Sequence, residues 1–246
     1  MKKLFFGAFI AVLSMTSCSD EGQENNETTL LKTHYILYHS QSQKIQGTNV
    51  ENADWLVDDD FVASVSGDTV TGGYVGKTNV CESQKGICFT VEVLPKYSLY
   101  KEPDMDWGAS KSTIQSRYGT PLRTTTDGLI YNSSNTNVPY YIYLFNSNGL
   151  YCSGVVVKTS SASMLANFLM ERYLTYNVDM SSYKANFMHC TGKISEPKMD
   201  YAIQMSYSAS LGGILVVYVP AVETKCSREN MMVKIEDFLV DSKIEQ

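Results

Sequence analysis

From Leu30 onward the apolar residues of this chain come in short runs, broken repeatedly by Gly, Asn, Asp or Ser, and several runs alternate apolar with polar side chains. Alternation with period two sends one set of side chains to a buried face and the other to water, so the pattern specifies half-buried strands joined by turns. The 17 Tyr agree, because aromatic side chains suit a pleated surface better than a helical bundle. A length of 246 residues sets an expectation of one or two domains. Hydrophobic residues at 43% and charged residues at 19% provide material for a core and exclude a disordered tail or a membrane bundle.

Charge excludes one class of partner. There are 20 Lys and Arg against 26 Asp and Glu, a formal charge of −6; without Lys2 and Lys3 the balance is 18 − 26 = −8. Binding nucleic acid requires a basic patch that displaces counterions from phosphates. The longest like-charge run, Asp58-Asp59-Asp60, has the opposite sign.

The first residues read as an address. Met1-Lys2-Lys3 is a positive start, and the apolar run from Leu4 to Leu13 is too short to span about 30 Å of hydrocarbon, which predicts a cleaved signal over residues 1–17. Thr16-Ser17 directly before Cys18 resembles a bacterial lipobox, with Met15 where Leu is usual. That resemblance implies lipidation of Cys18 and a lipid-anchored membrane association. Residues 18–29 are polar and acidic, with no apolar residue from Ser19 to Glu27, and read as a flexible tether. An acidic stretch after the lipidated cysteine also resembles the surface-export signal of Bacteroidetes lipoproteins. It implies the outer face of the outer membrane, with a plain periplasmic spacer as the alternative.

Of the 6 cysteines, lipidation takes one and leaves 6 − 1 = 5: Cys81, Cys88, Cys152, Cys190 and Cys226. An odd number leaves at least one thiol free or intermolecular. Cys81 and Cys88 bracket a polar segment with Gly86 that reads as a hairpin turn, so they are expected to face each other at bridging distance. There is no CxxC, and His34, His39 and His189 lack ligand spacing, so neither a metal nor another cofactor is expected.

Residues 30–95 hold short strand candidates, among them Tyr35-Ile36-Leu37-Tyr38, Trp55-Leu56-Val57 and the alternating Phe89-Thr90-Val91-Glu92-Val93. Their spacing is that of a β-sandwich, and Trp55 is the natural filler between two sheets about 10 Å apart. Trp55, Phe61-Val62-Ala63-Ser64-Val65, Gly67-Asp68-Thr69-Val70-Thr71-Gly72, Val75 to Val80 and Cys88 to Val93 follow one another in an order that resembles the bacterial Ig-like domain, group 2. The resemblance implies a spacer, adhesion or protein-contact module without catalytic residues. Asp58-Asp59-Asp60 lacks the alternation of a calcium loop and reads as a solvated loop.

Residues 96–103, with Pro95 and Pro103 at their borders, read as a stiff linker to an α+β domain over 104–246. Ser110 is placed to cap a helix from Lys111 to Tyr118, with Ile114 and Tyr118 on its buried face and Gly119-Thr120-Pro121 as its stop. Strands are expected at Leu129 to Tyr131, Pro139 to Phe145 and Leu150 to Val157, with Ser147-Asn148-Gly149 as a hairpin turn. A second helix over Met164 to Tyr173 carries Leu165, Phe168 and Leu169 at helical spacing, and strands near Tyr183 to Cys190, Tyr201 to Ser208 and Gly213 to Val219 follow. A helix followed by a meander thus occurs twice. The tail after Ser227 again has helical periodicity.

The run Trp107 to Pro121 resembles the opening of small outer-membrane-assembly lipoproteins, whose wider fold includes β-lactamase-inhibitor-like proteins, with Ile114 where Val is usual. It implies protein contact. No GxSxG, HExxH, P-loop or Rossmann glycine motif is present. His189 and Cys190 are neighbours on an expected strand and should point to opposite faces; Asp104 and Asp106 read as a polar start to the domain. Tyr141, Tyr143 and Phe145 alternate along one strand, so a face of three rings is a candidate surface for a glycan or a protein, with cross-strand packing as the competing reading.

The sequence therefore reads as a mainly β, non-catalytic envelope lipoprotein: an Ig-like sandwich, then an α+β domain of two helix-plus-meander units. Its expected work is adhesion or protein or glycan binding at the cell surface. The alternatives are a periplasmic assembly or inhibitor-like protein, and a glycan-binding accessory of polysaccharide utilisation.

Overall fold

A computed structural model describes residues 27–179, 184–209 and 211–221. Cys18, the signal segment, Cys226 and the helical pattern after Ser227 lie outside the described residues.

The chain is mainly β. Its first region contains β1 (Thr29–Leu30), β2 (His34–Leu37), β3 (Ser42–Lys44), β4 (Gly47–Thr48), β5 (Trp55–Val57), β6 (Ala63–Ser66), β7 (Thr69–Gly72), β8 (Gly76–Glu82) and β9 (Cys88–Val93). One sheet has the order β2-β9-β8-β5, with β2 parallel to β9; another has the order β3-β7-β6, and β1 pairs with β4. Tyr35, Leu37, Phe89 and Val91 from the larger sheet and Ala63 and Val70 from the smaller share one apolar cluster, so the two sheets are held by a common core. On β9 the alternation works as read: Phe89, Val91 and Val93 are buried while Thr90 and Glu92 are not. Trp55 sits at the edge of that core instead of filling it, half-buried against Phe89 at 5.2 Å with its Nε1–H donated to the Val50 carbonyl at 3.0 Å. The indole N–H needs a partner when covered, which favours a border position. Cys81 and Cys88 are register partners on β8 and β9 and are joined by a disulfide, with Cα atoms 4.1 Å apart.

The second region contains α1 (Lys111–Tyr118), β10 (Arg123–Thr124), β11 (Gly128–Asn132), β12 (Tyr140–Asn146), β13 (Gly149–Lys158), α2 (Ala162–Met170), β14 (Leu174–Asp179), β15 (Lys184–Lys193), β16 (Glu196–Ser208) and β17 (Gly213–Pro220). All eight strands make one antiparallel sheet, ordered β10-β11-β12-β13-β17-β16-β15-β14. The two helix-and-meander units are therefore fused, the last strand of each meeting at the β13–β17 seam with Val155 opposite Val216. Reading outward from the seam, both halves run last strand to first. Every residue from Gly213 to Val219 is buried, so β17 is a continuous apolar run instead of an alternating one, as expected for a strand covered on both faces. β10 and β14 carry little apolar periodicity, and the sequence reading did not contain them.

α1 is built as its sequence dictates. The Ser110 side chain accepts from the Thr113 N–H at 3.1 Å, and Gly119 with φ 78° ends the helix by donating its N–H to the Gln115 carbonyl at 2.8 Å. Gly149 has φ 97°, and a Cβ there would meet the Gly108 carbonyl oxygen at 2.2 Å, so the chain before α1 lies directly on the β12–β13 turn.

Within residues 96–103, read above as a stiff linker, two side chains enter the second region's core while Lys96, Ser98 and Lys101 stay exposed. Leu99 and Tyr100 are buried in the cluster with Phe168 and Tyr218, and the Tyr100 and Tyr218 hydroxyls are 2.7 Å apart. The Leu99 carbonyl accepts from Asn135 Nδ2 at 2.5 Å. The apolar Leu99 and Tyr100 are the physical reason: leaving both in water would forfeit about 1.5–3 kcal/mol for each large side chain.

Candidate functional site

Two concavities collect the polar and aromatic side chains of the second region. The first is a cavity of about 310 Å³ beside α1, walled by Tyr118, Tyr131, Tyr141 and Tyr143, with Glu102 and the segment Asn132 to Ser134 around it. Register explains the convergence: Tyr131 on β11 is opposite Tyr141 on β12, and Tyr143 follows Tyr141 on the same face by the two-residue pleat. α1 lies over that face through Ile114, which is fully buried with Leu129 and Tyr143.

The aromatic strand is thereby corrected. Tyr143 is 2% exposed and Phe145 7% exposed, so both are core, and Tyr141 is half-buried. They do not form an open face, because a helix covers it. The exposed ring is Tyr118, at 39%, which the sequence assigned to the buried side of its helix. Its ring stacks on Tyr143 with centroids 5.5 Å apart and an 18° tilt, while Tyr131 meets Tyr143 edge-on at 5.9 Å. Ile114 and Tyr118 are one turn apart, but only Ile114 is buried, and Tyr118, the last residue of α1, stays partly open. Phe145 is outside the cavity, with the Lys111 ammonium 5.6 Å from its centroid.

The tyrosine hydroxyls are tied inward. Tyr141 donates to the Lys101 carbonyl at 2.9 Å, Tyr131 to the Gly119 carbonyl at 3.4 Å and Tyr118 to Asp104 Oδ2 at 3.4 Å, while Tyr143 accepts from the Asp104 N–H at 3.4 Å. Burial pushes the Tyr131, Tyr141 and Tyr143 phenols up, so they stay neutral. Asp104 and Asp106 share the fork of Arg117, at 2.7 and 2.6 Å. Burial opposes the charged form of Asp104, but the hydrogen bonds from Arg117 and from the Asp106 N–H outweigh it and hold the carboxyl below its ordinary range. These two carboxylates brace α1 against the chain before it. On Glu102, Oε1 accepts from the Tyr173 hydroxyl and lies 3.8 Å from Arg172 Nε; among the described residues Oε2 accepts no hydrogen bond.

The second concavity, about 210 Å³, lies where the two regions meet and is lined by Asp59, Tyr74, His189 and Cys190 among others. A bulge between His189 and Cys190 brings both neighbours into this one cleft, against the expectation that they point apart. They still do not form a pair. His189 stacks on Tyr201 at 4.6 Å and its Nδ1 is 3.0 Å from Asp200 Oδ2. Burial, with the charges of Asp200 and Asp59, pushes the Cys190 thiol up, which opposes a reactive thiolate. Cys152 is fully buried and its thiol is likewise pushed up by burial.

The Asp58-Asp59-Asp60 loop is a joint instead of a solvated loop. The Asp60 N–H donates to the Gly192 carbonyl at 2.8 Å, its carboxylate accepts from the Ile194 N–H at 3.3 Å, and Lys193 reaches both the Val57 carbonyl and Asp60. A second clamp uses Glu171, whose carbonyl accepts from Val75 N–H at 3.0 Å and whose carboxylate accepts from the Lys96 and Tyr97 N–H groups at 2.9 and 3.0 Å.

Among the described residues no group of three His, Cys, Asp or Glu is arranged to hold a metal ion, and no helix is long and apolar enough to cross a membrane. In comparisons with known proteins, no family model matches the chain and no curated protein matches it.

Proposed function

We propose that this protein is a non-catalytic, lipid-anchored binding protein of the cell envelope, displayed at the surface, in which an Ig-like domain over residues 30–95 carries a binding domain away from the membrane. The observation that supports binding is the tyrosine cavity: rings from three elements converge on it, Tyr131 and Tyr143 as buried backing and Tyr118 and Tyr141 as the more open pair, with their hydroxyls satisfied within the protein. The Ig-like assignment draws support from the two sheets sharing one core over about that length, and from the order of the sequence motifs. Anchoring rests on the lipobox-like approach to Cys18 and the acidic residues after it.

A protein-binding, inhibitor-like role in the periplasm is the second reading. It is favoured by the fused sheet carrying two helices, one per meander, which agrees with the resemblance of Trp107 to Pro121. Protease treatment of intact cells separates the two: degradation of the protein without lysis supports surface display, and full protection until the outer membrane is opened supports the periplasmic reading.

A further inference from the structure

We infer that the tyrosine cavity is a subsite for a neutral sugar, with the ring of Tyr118 as its stacking platform and Glu102, Asn132 and Ser134 as partners for sugar hydroxyls; this rests on reading that cavity as the binding site. Tyr118 lines the cavity, has one face against Tyr143 and remains 39% exposed, which makes it the most open of the four rings. A pyranose ring offers a patch of weakly positive C–H groups on one side and hydroxyls around its rim. The C–H patch suits the negative face of a tyrosine ring. Because the Tyr118, Tyr131, Tyr141 and Tyr143 hydroxyls are all engaged within the protein, the rings are fixed before a ligand arrives and little side-chain freedom is lost on binding.

The polar groups fit the rim. Glu102 is held through Oε1 by the Tyr173 hydroxyl and Arg172, which leaves Oε2 as a fixed acceptor for a sugar O–H. The side chains of Asn132 and Ser134 make no hydrogen bond among the described residues, whereas Ser133 is already occupied by the Asn135 N–H at 3.0 Å. The lining carries no net charge that would favour an ion: Lys101 and Glu102 both line the cavity, and Arg172 lies beside Glu102. The volume, about 310 Å³, is at the small end of ligand sites and suits a single sugar ring with the rest of the glycan outside.

The test is a printed array carrying neutral, sulfated and uronate oligosaccharides and, alongside, lysine- and arginine-rich peptides, probed with the full secreted chain and with Y118A, Y118F and E102Q. Retention of neutral oligosaccharides alone is expected. In titration calorimetry with the retained oligosaccharide, Y118A should weaken binding at least tenfold, Y118F less than threefold because the ring persists, and E102Q severalfold, with circular dichroism spectra unchanged. Preference for anionic glycans, or equal affinity of Y118A, overturns the inference. Binding of cationic peptides that is lost in Y118A, with no glycan retained, overturns the sugar assignment while leaving the cavity as the binding site; no Tyr118-dependent binding to any probe overturns both.

Discussion

The two helix-and-meander units of the second region have the same order of elements and hide different things under their helices. α2 buries Leu165, Phe168 and Leu169 completely, and Arg172 closes over the Phe168 ring with its guanidinium carbon 3.8 Å from the centroid. α1 buries only Ile114, and its other seven residues lie at or near the surface. A helix with a three-residue apolar stripe is pressed onto its sheet along its length, whereas one held at a single apolar point stands off at its end. The tyrosine cavity lies at that end, where Tyr118 lines it. One unit has become a seal and the other a recess, and the amphipathic strength of the helix is the difference between them.

Substitutions in the two helices measure that contrast. F168A should cost about 3–5 kcal/mol, the range for truncating a buried Phe, because it removes the anchor of α2 together with the ring that packs on Tyr100. I114A should cost about 2–4 kcal/mol, less than F168A, since fewer partners surround it. Urea denaturation of both variants decides; an I114A cost equal to or above that of F168A would show that α1 seals its half as tightly as α2.

Acid should loosen the first unit before the second. The Asp104 carboxyl is held below its ordinary value of 3.8 in the folded chain, so its contribution is complete above that value and fades as the pH falls through the lower, folded pKa. Below about pH 4, amide exchange in α1 should rise ahead of exchange in α2, and D104N should abolish that difference. Equal acid sensitivity of both helices would count against the brace. The smallest effect on stability belongs to Y118A, expected at about 1 kcal/mol, because the side chain is 39% exposed and what it loses is mainly the stack on Tyr143. A loss above about 2 kcal/mol in the same denaturation would make Tyr118 a core residue and remove the recess from the comparison.

Local rules made much of this readable in the sequence. Ser110 and Gly119 mark both ends of α1, Phe89-Thr90-Val91-Glu92-Val93 shows which face of β9 is buried, and Cys81 and Cys88 flank a turn short enough to make them register partners. What was not readable depends on contacts across the chain. Alternation shows that Tyr141 and Tyr143 share a face but not that Ile114 brings a helix down on it, and nothing local distinguishes an outward Tyr118 from an inward one. Residues 96–103 looked like a linker because prolines border them, yet Leu99 and Tyr100 enter the core. The bulge that brings His189 and Cys190 into one cleft, and the joint formed by Asp60 and Gly192, arise from tertiary pairing that period-two patterning does not encode.

Ring signals of isotopically labelled tyrosines, followed by nuclear magnetic resonance during addition of the oligosaccharide retained on the array, test the recess most directly. Tyr118 should shift most and Tyr141 less, while Tyr218, buried under the α2 half of the sheet, stays unmoved. A shift confined to Tyr218, or shifts spread evenly over all three, would contradict a binding site at the open end of α1.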